Sequence, residues 1–423
     1  MKIAVWHNLR RGGGKRALHD QVRGLVARGH QVEAWCPPTA DQSHLPLGAL
    51  IPEHIVPLNL TFEAESSFLR KCRPRHWSAS LKLRAMNEHC RKCAEQIDAG
   101  GFDLLFAAPT TGFHTPPIAR FVKRIPRVLY LQEPCRGLYE GQPDLPWTAQ
   151  VGDLKDWLDL RFCRNALHRR IMLPQIRILA GEERRSAMAF DEILVNSLFA
   201  RESIWRAYGI DSKVCYLGVD ADRFTDRKRT RERIAVSIGA MVERKNAEFI
   251  LQALARVSAP LRPMLTWVAD TIHPEYLRRM ERIAQGSQVE FQLRHQVDDD
   301  ELVEILSRAR LMLYAPRLEP FGYAPLEANA CGVPVVAVAE GGVRETVQDG
   351  VNGLLVEHDP ERMAAAVERL MADHDLARRL GQDGSHWVRQ QWALPASIDR
   401  LESRLSSALA RGRKSRAGQP STA

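Results

Sequence analysis

The chain has 423 residues, too many for one ordinary core and enough for two or three domains. Its 45% hydrophobic and 26% charged residues are the mix of a globular protein in water, and no stretch approaches the roughly 20 apolar residues of a membrane span. A net charge of +9 calls for an anionic partner, whether nucleic acid, an acidic membrane surface or a phosphorylated small molecule, and does not choose among them.

Ile3 to Trp6 reads as a buried strand that starts almost at once, and the N-terminus turns polar too soon for a signal-peptide core. The eight scattered cysteines then point to reduced thiols and a cytoplasmic location. Gly12, Gly13 and Gly14 form a loop, and Ala17 to Ala27 carries apolar residues at helical spacing. Gly29 ends that helix, and Val32 to Trp35 is the next strand. Leu104 to Ala107, Arg127 to Leu131 and Ile193 to Val195 are further strand-like runs. Strands separated by helices imply a parallel sheet covered on both faces. An excursion from about Gly141 to Met188 stands apart, its tryptophan, leucines and isoleucines interleaved with arginines.

The stretch GVDADRFTDRKRTRER, Gly218 to Arg233, is too charged to be core and marks a domain boundary. Beyond it the same grammar repeats: a strand at Ile234 to Ile238, a glycine loop and a helix from about Ala247 to Val257. Strands follow at Leu265–Val268, Val289–Leu293, Leu311–Tyr314, Val333–Val338 and Gly353–Val356. The expected fold class is therefore α/β, with two Rossmann-like doubly wound domains facing a cleft lined by strand C-termini. The first would span 1–217, with a basic amphipathic insertion at about 141–188, and the second 218–395. A helix at 396–410 would pack back on the first domain, followed by a disordered basic tail at 411–423.

Gly12-Gly13-Gly14-Lys15 follows a strand and opens a helix, yet it is neither a P-loop nor a dinucleotide fingerprint. Leu9 stands where the leading glycine belongs and Arg16 where Ser or Thr would hold magnesium. What it offers is exposed backbone N–H groups at a helix start, which favour an anion. The second glycine loop, SIGAMVERKNAEF, places Arg244 and Lys245 to reach a phosphate, with Asn246 as the N-cap. In RLEPFGYAPLE, Glu319 lies in the loop after a strand and faces the same cleft as Lys245. Gly322 lets a ligand approach the backbone, and the N–H groups of Phe321 to Tyr323 stand near a helix start. Glu327 sits further on, where a carboxylate accepts the two hydroxyls of a ribose. A cation for phosphates and carboxylates for hydroxyls make a nucleotide-sugar pocket.

The stretch EPFGYAPLEANACGVPVVAVAEGGVRETVQDGVNGLLVEHD resembles the E-x7-E donor signature of the retaining GT-B glycosyltransferases of family 4, also called glycosyl transferases group 1. ILVNSLFARESIWRAYGIDSKVCYLGVDADRF is similar to that family's segment leading into the interdomain linker, and GGGKRALHDQVRGLVARGHQVEAW to its N-terminal loop, helix and second strand. The resemblance implies a hexosyltransferase moving sugar from a nucleotide diphosphate to a glycan or lipid-linked hydroxyl, in cell-surface polysaccharide or glycolipid synthesis. Glu319 would bind hydroxyls of the transferred sugar at the reacting centre, Lys245 the diphosphate and Glu327 the ribose. Gly13 and Gly14 would lie close to the donor phosphates or the acceptor. The family retains anomeric configuration and needs no metal or other cofactor, since side chains and a helix dipole neutralise the leaving group.

Two positions depart from the family pattern. Ala240 stands where an arginine commonly follows the second-loop glycine, leaving Arg244 to supply that charge. Gln132, followed by Glu133, stands where many members carry a histidine, and an amide cannot act as an acid or base. His114 is a further cleft candidate for acceptor contact. These departures keep two alternatives open: an epimerase- or phosphorylase-type GT-B enzyme, and a catalytically impaired nucleotide-sugar-binding protein. Asp298-Asp299-Asp300 reads as a helix cap at Asp298 rather than a metal motif, and Cys90-x-x-Cys93 lacks the second pair of a zinc site. The Trp157 region has two readings, an acceptor lid or peripheral contact with anionic lipid at the inner membrane face. No nucleic-acid reader motif is present.

Overall fold

The computed structural model describes residues 1–59, 75–110, 113–140, 153 and 155–417. Every strand ladder among the described residues is parallel. The first sheet holds β1 (Lys2–Asn8), β2 (Gln31–Cys36), β3 (Glu53–Ile55), β4 (Leu104–Thr110), β5 (Arg127–Tyr130), β6 (Glu192–Val195) and β7 (Lys213–Val214), in the order β3-β2-β1-β4-β5-β6-β7. The second holds β8 (Ile234–Ile238), β9 (Met264–Ala269), β10 (Phe291–His295), β11 (Leu311–Tyr314), β12 (Val335–Val338) and β13 (Gly353–Val356), in the order β10-β9-β8-β11-β12-β13. In each sheet the order reverses beside the first strand, between β1 and β4 and between β8 and β11. Doubly wound sheets bind ligands beyond the strand C-termini at that point.

The chain divides into two compact units. One comprises Met1–Val195, Arg201–Val214 and Leu401–Ala423; the other comprises Asn196–Ala200 and Cys215–Arg400. The helices of the first half are α1 (Gly13–Ala27), α2 (Arg75–Ala99), α3 (Arg136–Tyr139), α4 (Leu160–Ala187) and α5 (Leu198–Tyr208). In the second half they are α6 (Ala247–Arg256), α7 (Pro274–Gly286), α8 (Asp299–Arg308), α9 (Tyr323–Ala330), α10 (Val343–Thr346), α11 (Pro360–Ala372), α12 (His374–Gln391) and α13 (Leu394–Ala417). No helix among the described residues is long and apolar enough to cross a membrane.

Burial explains why these runs become strands. Ile3, Ala4, Val5 and Trp6 are fully buried, as a strand covered on both faces requires. On α6, Leu251 and Leu254 are fully buried against the second sheet's core, and truncating either to Ala would cost about 2–5 kcal/mol.

Several elements differ from the sequence expectation. The first helix begins at Gly13, so two of the three loop glycines lie in its first turn and Gly12, at φ 138°, carries the bend. Strand β10 is Phe291–His295 rather than Val289–Leu293, because the N–H of Val289 closes the end of α7 on the carbonyl of Ala284. Strands β3 and β7 were not foreseen; three and two residues are too few for a periodic signal. The tail is not disordered from Arg411, since α13 runs to Ala417. Arg411 pairs with Glu192 and Arg413 with Asp103 on the first unit, which gives the basic helix a partner. Residues 141–152 and 154 of the excursion and the tail beyond Ala417 lie outside the described residues.

Candidate active site

In the second unit, β8 is followed by Gly239, whose φ of 151° suits a residue without a Cβ. The loop is fixed from both sides: the Trp267 indole N–H donates to the Gly239 carbonyl at 2.8 Å, and the Gly239 N–H donates to Val268 at 2.9 Å. A short 3-10 turn, Glu243–Lys245, follows. Asn246 stands at the N-cap position but does not cap with its side chain. It sits in the left-handed region, and its amide donates to the Ala315 carbonyl at 3.2 Å, tying this loop to the end of β11. The stem of Lys245 lies against Gly239, where a Cβ would fall 3.3 Å from Cδ and Cε. Arg244 is exposed, and its carbonyl accepts from the Arg317 N–H at 3.1 Å.

The loop after β11 meets that turn. Lys245 Nζ donates to Glu319 Oε1 at 2.7 Å, with only 12% and 18% of the two side chains exposed. Glu340 holds the loop by accepting from Arg317 Nε at 3.0 Å and from the Leu318 N–H at 2.9 Å. Gly341 and Gly342 press on the same loop: the Gly342 N–H donates to the Glu319 carbonyl at 2.8 Å, and a Cβ there would come 2.1 Å from the Pro320 carbonyl. Gly322, at φ 97°, ends the loop and opens α9. Phe321 is buried edge-on to Trp392, and Tyr323 donates its hydroxyl to the Gly218 carbonyl at 2.9 Å. Their side chains therefore anchor the loop, leaving backbone N–H groups at the α9 start as their offering to a ligand. Glu327 follows on α9 and is 5% exposed. Ser197 Oγ donates to the Pro320 carbonyl, and Glu345 accepts from the N–H groups of Leu198 and Phe199 and from the Tyr216 hydroxyl.

Asp298 accepts from the Glu301 N–H at 2.8 Å, the helix cap its spacing predicts.

In the first unit the candidates have different surroundings. Gln132 faces the glycine turn, its Oε1 3.4 Å from where a Gly14 Cβ would sit. A Cβ on Gly12 or Gly13 would meet nothing within 4 Å, so the backbone there is open. His114 is half-buried. Burial lowers the imidazole's pKa against the pull of Glu183, and burial raises the Glu183 carboxyl despite His114 and Thr115. Glu183 accepts from the Thr115 N–H at 3.0 Å and the Tyr208 hydroxyl at 3.1 Å, while His114 Nε2 has no hydrogen-bond partner among the described residues. Glu133 lies 3.6 Å from Arg136.

A second cluster escaped the sequence reading. His7 Nε2 lies 2.9 Å from Glu53 Oε1, Cys36 Sγ lies 3.5 Å from the same oxygen, and Lys15 is fully buried in the first turn of α1. Burial pushes Glu53 up, but the His7 hydrogen bond, Gln42 and Lys15 outweigh it and hold the carboxyl at about 2. Burial lowers the His7 imidazole's pKa against the pull of Glu53 and pushes the Cys36 thiol up to about 12. The His7, Cys36 and Glu53 ligand atoms lie within 4.8 Å of one another, as a metal site would need. Lys15 acts on Glu53 through its charge, without an ion-pair contact. The signal was hidden because Glu53 enters only through the pairing of β3 with β2.

Residues 11–223 match the family model Glycosyltransferase Family 4, and residues 219–387 match Glycosyl transferases group 1. A D-inositol 3-phosphate glycosyltransferase of Geodermatophilus obscurus is 34% identical over 226 residues, 48% of this chain and 50% of that protein. A GDP-mannose-dependent alpha-(1-6)-phosphatidylinositol monomannoside mannosyltransferase of Mycolicibacterium smegmatis is 31% identical over 258 residues, 56% of this chain and 66% of that one. The match thus spans about half to two thirds of these curated relatives. Among solved structures, Anabaena Alr3699/HepE in complex with UDP and glucose superposes with a TM-score of 0.70 at 17% identity, covering 96% of this chain and 100% of that one. Sucrose-phosphate synthase from Thermosynechococcus elongatus gives 0.69 at 19% identity, covering 97% and 99%. At such identities the likeness concerns the fold, which is that of GT-B enzymes.

Proposed function

The chain belongs to glycosyltransferase family 4, and from that premise we propose that it moves a sugar from a nucleotide-diphosphate sugar to a hydroxyl acceptor, with retention and without a metal ion. The Lys245–Glu319 contact carries the reading. Without ligand, the ammonium and the carboxylate hold each other. A donor would offer its diphosphate to Lys245 and its sugar hydroxyls to Glu319, so each charge exchanges one partner for another and neither is stranded. Glu327 would take the ribose diol. As the glycosidic bond breaks, negative charge grows on the departing diphosphate. Lys245, Arg244 and the N–H groups at the start of α9 stabilise it there, the work a metal does in other transferases.

Within the first unit, Gly13, Gly14 and Gln132 make an open backbone turn beside an amide that binds a hydroxyl but does not titrate, which suits acceptor contact. Glu133, paired with Arg136, and His114 are not assigned to the chemistry. The relatives named for inositol phosphate and phosphatidylinositol mannoside support an acceptor rich in hydroxyls, a glycan or lipid-linked glycan of surface polysaccharide or glycolipid synthesis. Work at the inner membrane face belongs to the same reading.

The test is product analysis with purified protein, a panel of nucleotide sugars and glycan acceptors. Transfer should give a product with the donor's anomeric configuration by NMR, at a rate that EDTA leaves unchanged. Glu319→Ala and Lys245→Ala should each lower turnover by orders of magnitude in folded protein, and near-wild-type rates in either would sink the assignment.

A further inference from the structure

Helix α4 has two different halves. Its C-terminal part is anchored: Glu182 pairs with Arg120 at 2.6 Å, Glu183 accepts from Thr115 and Tyr208, and the Tyr139 hydroxyl donates to the Ala180 carbonyl at 3.3 Å. Its N-terminal part instead carries exposed apolar side chains. Pro174 separates the two, removing the N–H that would bond the Arg170 carbonyl. Ahead of it, Trp157, Leu158, Leu160, Leu167 and Ile171 are 51%, 81%, 85%, 60% and 47% exposed. These are five of the ten exposed large apolar side chains among the described residues, gathered within fifteen positions.

The pattern around the helix is ordered. Leu160, Leu167, Ile171 and Pro174 share one stripe at the spacing of a helix face. Exposed Arg164 lies on one side of it, and exposed Arg170 and Arg177 lie on the other. From Leu160 to Gly181 the sequence has five arginines and no acidic residue; the nearby acids Asp153, Asp156 and Asp159 all precede the helix. An apolar stripe flanked by cations matches one environment, the boundary between acyl chains and anionic head groups. A nucleic acid would satisfy the arginines and leave Leu158, Leu160 and Leu167 against phosphate.

We propose that Trp157, Leu158 and the N-terminal half of α4 seat on the surface of an anionic lipid bilayer, with the leucines entering the acyl boundary and Arg164, Arg170 and Arg177 on lipid phosphates. This deepens the reading of a lipid-linked acceptor and rests on it only for what the docked enzyme does there. Vesicle binding is measured without any transfer reaction, so the two can fail separately.

The experiment is sedimentation of the full chain with phosphatidylcholine vesicles, with and without phosphatidylglycerol, at low and high salt. The wild type should bind the anionic vesicles and release them as salt rises. R164Q/R170Q/R177Q should weaken partitioning about a hundredfold, and L160S/L167S/I171S should lose binding at unchanged charge. Both variants should keep the wild-type melting temperature, since these side chains face solvent. Wild-type protein left in the supernatant with anionic vesicles would overturn the proposal, as would arginine variants that bind normally. A concentration-dependent dimer dissolved by the leucine variant, without vesicle binding, would assign the face to a second copy instead and equally overturn it.

Discussion

Removing Lys245, Glu319 or both separates the role of their contact in the free protein from their role in catalysis. The pair is 2.7 Å apart with side chains 12% and 18% exposed, between a surface ion pair worth about 0–1 kcal/mol and a buried one whose single-partner removal costs about 3–5 kcal/mol. Each alanine variant should therefore lose about 2 kcal/mol, because the group left behind has lost its counter-charge while still largely out of water. The double variant should also lose about 2 kcal/mol rather than 4, a coupling well above the ~0.5 kcal/mol scatter of independent sites. Turnover should behave otherwise: each single variant should lose about 10²–10³-fold, with no recovery in the double. Urea unfolding of the four proteins gives the cycle, and initial rates with the donor give the rest. Additive stability losses within about 0.5 kcal/mol would refute the pairing. Recovery of turnover in the double variant would refute the separate assignment of phosphate to Lys245 and sugar to Glu319.

Gly342→Ala would place a methyl 2.1 Å from the Pro320 carbonyl and push the Glu319 loop away, so kcat should fall at least tenfold and urea unfolding should show a loss of about 1–3 kcal/mol. Gly14→Ala meets Gln132 only at ordinary contact distance, so calorimetry should show stability held or raised by about 0.5–1 kcal/mol, with KM for donor or acceptor raised severalfold. Glu53, held at about 2 against a usual value of 4.5, contributes stability that is complete above pH 4.5 and is lost as pH falls toward 2. Glu53→Gln should thus be about 1–2 kcal/mol less stable at neutral pH, allowing for partial solvent screening, and the gap in melting temperature to wild type should close as the solution is acidified.

Much of this was legible in the sequence because it depends on short-range pattern. Ile234 to Ile238 followed by Gly239 fixes a strand and its exit, and Pro320-Phe321-Gly322 fixes a loop that opens a helix. Both carry their chemistry within ten residues. Lys245 and Glu319 could accordingly be placed at one site from the order of strands alone, since β8 and β11 are neighbours in a doubly wound sheet. That they bond to each other could not be read, because it depends on how the Gly239 turn and the Gly341–Gly342 pair bring two loops together. The surroundings of His114 were hidden for the complementary reason, since the carboxylate that acts on it, Glu183, lies 69 residues later. His7, Lys15, Cys36 and Glu53 were invisible because each looks ordinary locally and the cluster exists only across β1, β2, β3 and α1.

The most direct test of a donor pocket on the second unit is a thermal-shift panel with UDP, GDP, ADP and their sugars, with and without EDTA, on wild type and Lys245→Ala. A ligand that binds only the native state raises the melting temperature. One base should shift the wild type, EDTA should leave that shift in place, and Lys245→Ala should abolish most of it. No shift with any nucleotide, or an equal shift in Lys245→Ala, would contradict the assignment of the diphosphate to Lys245 and with it the donor site.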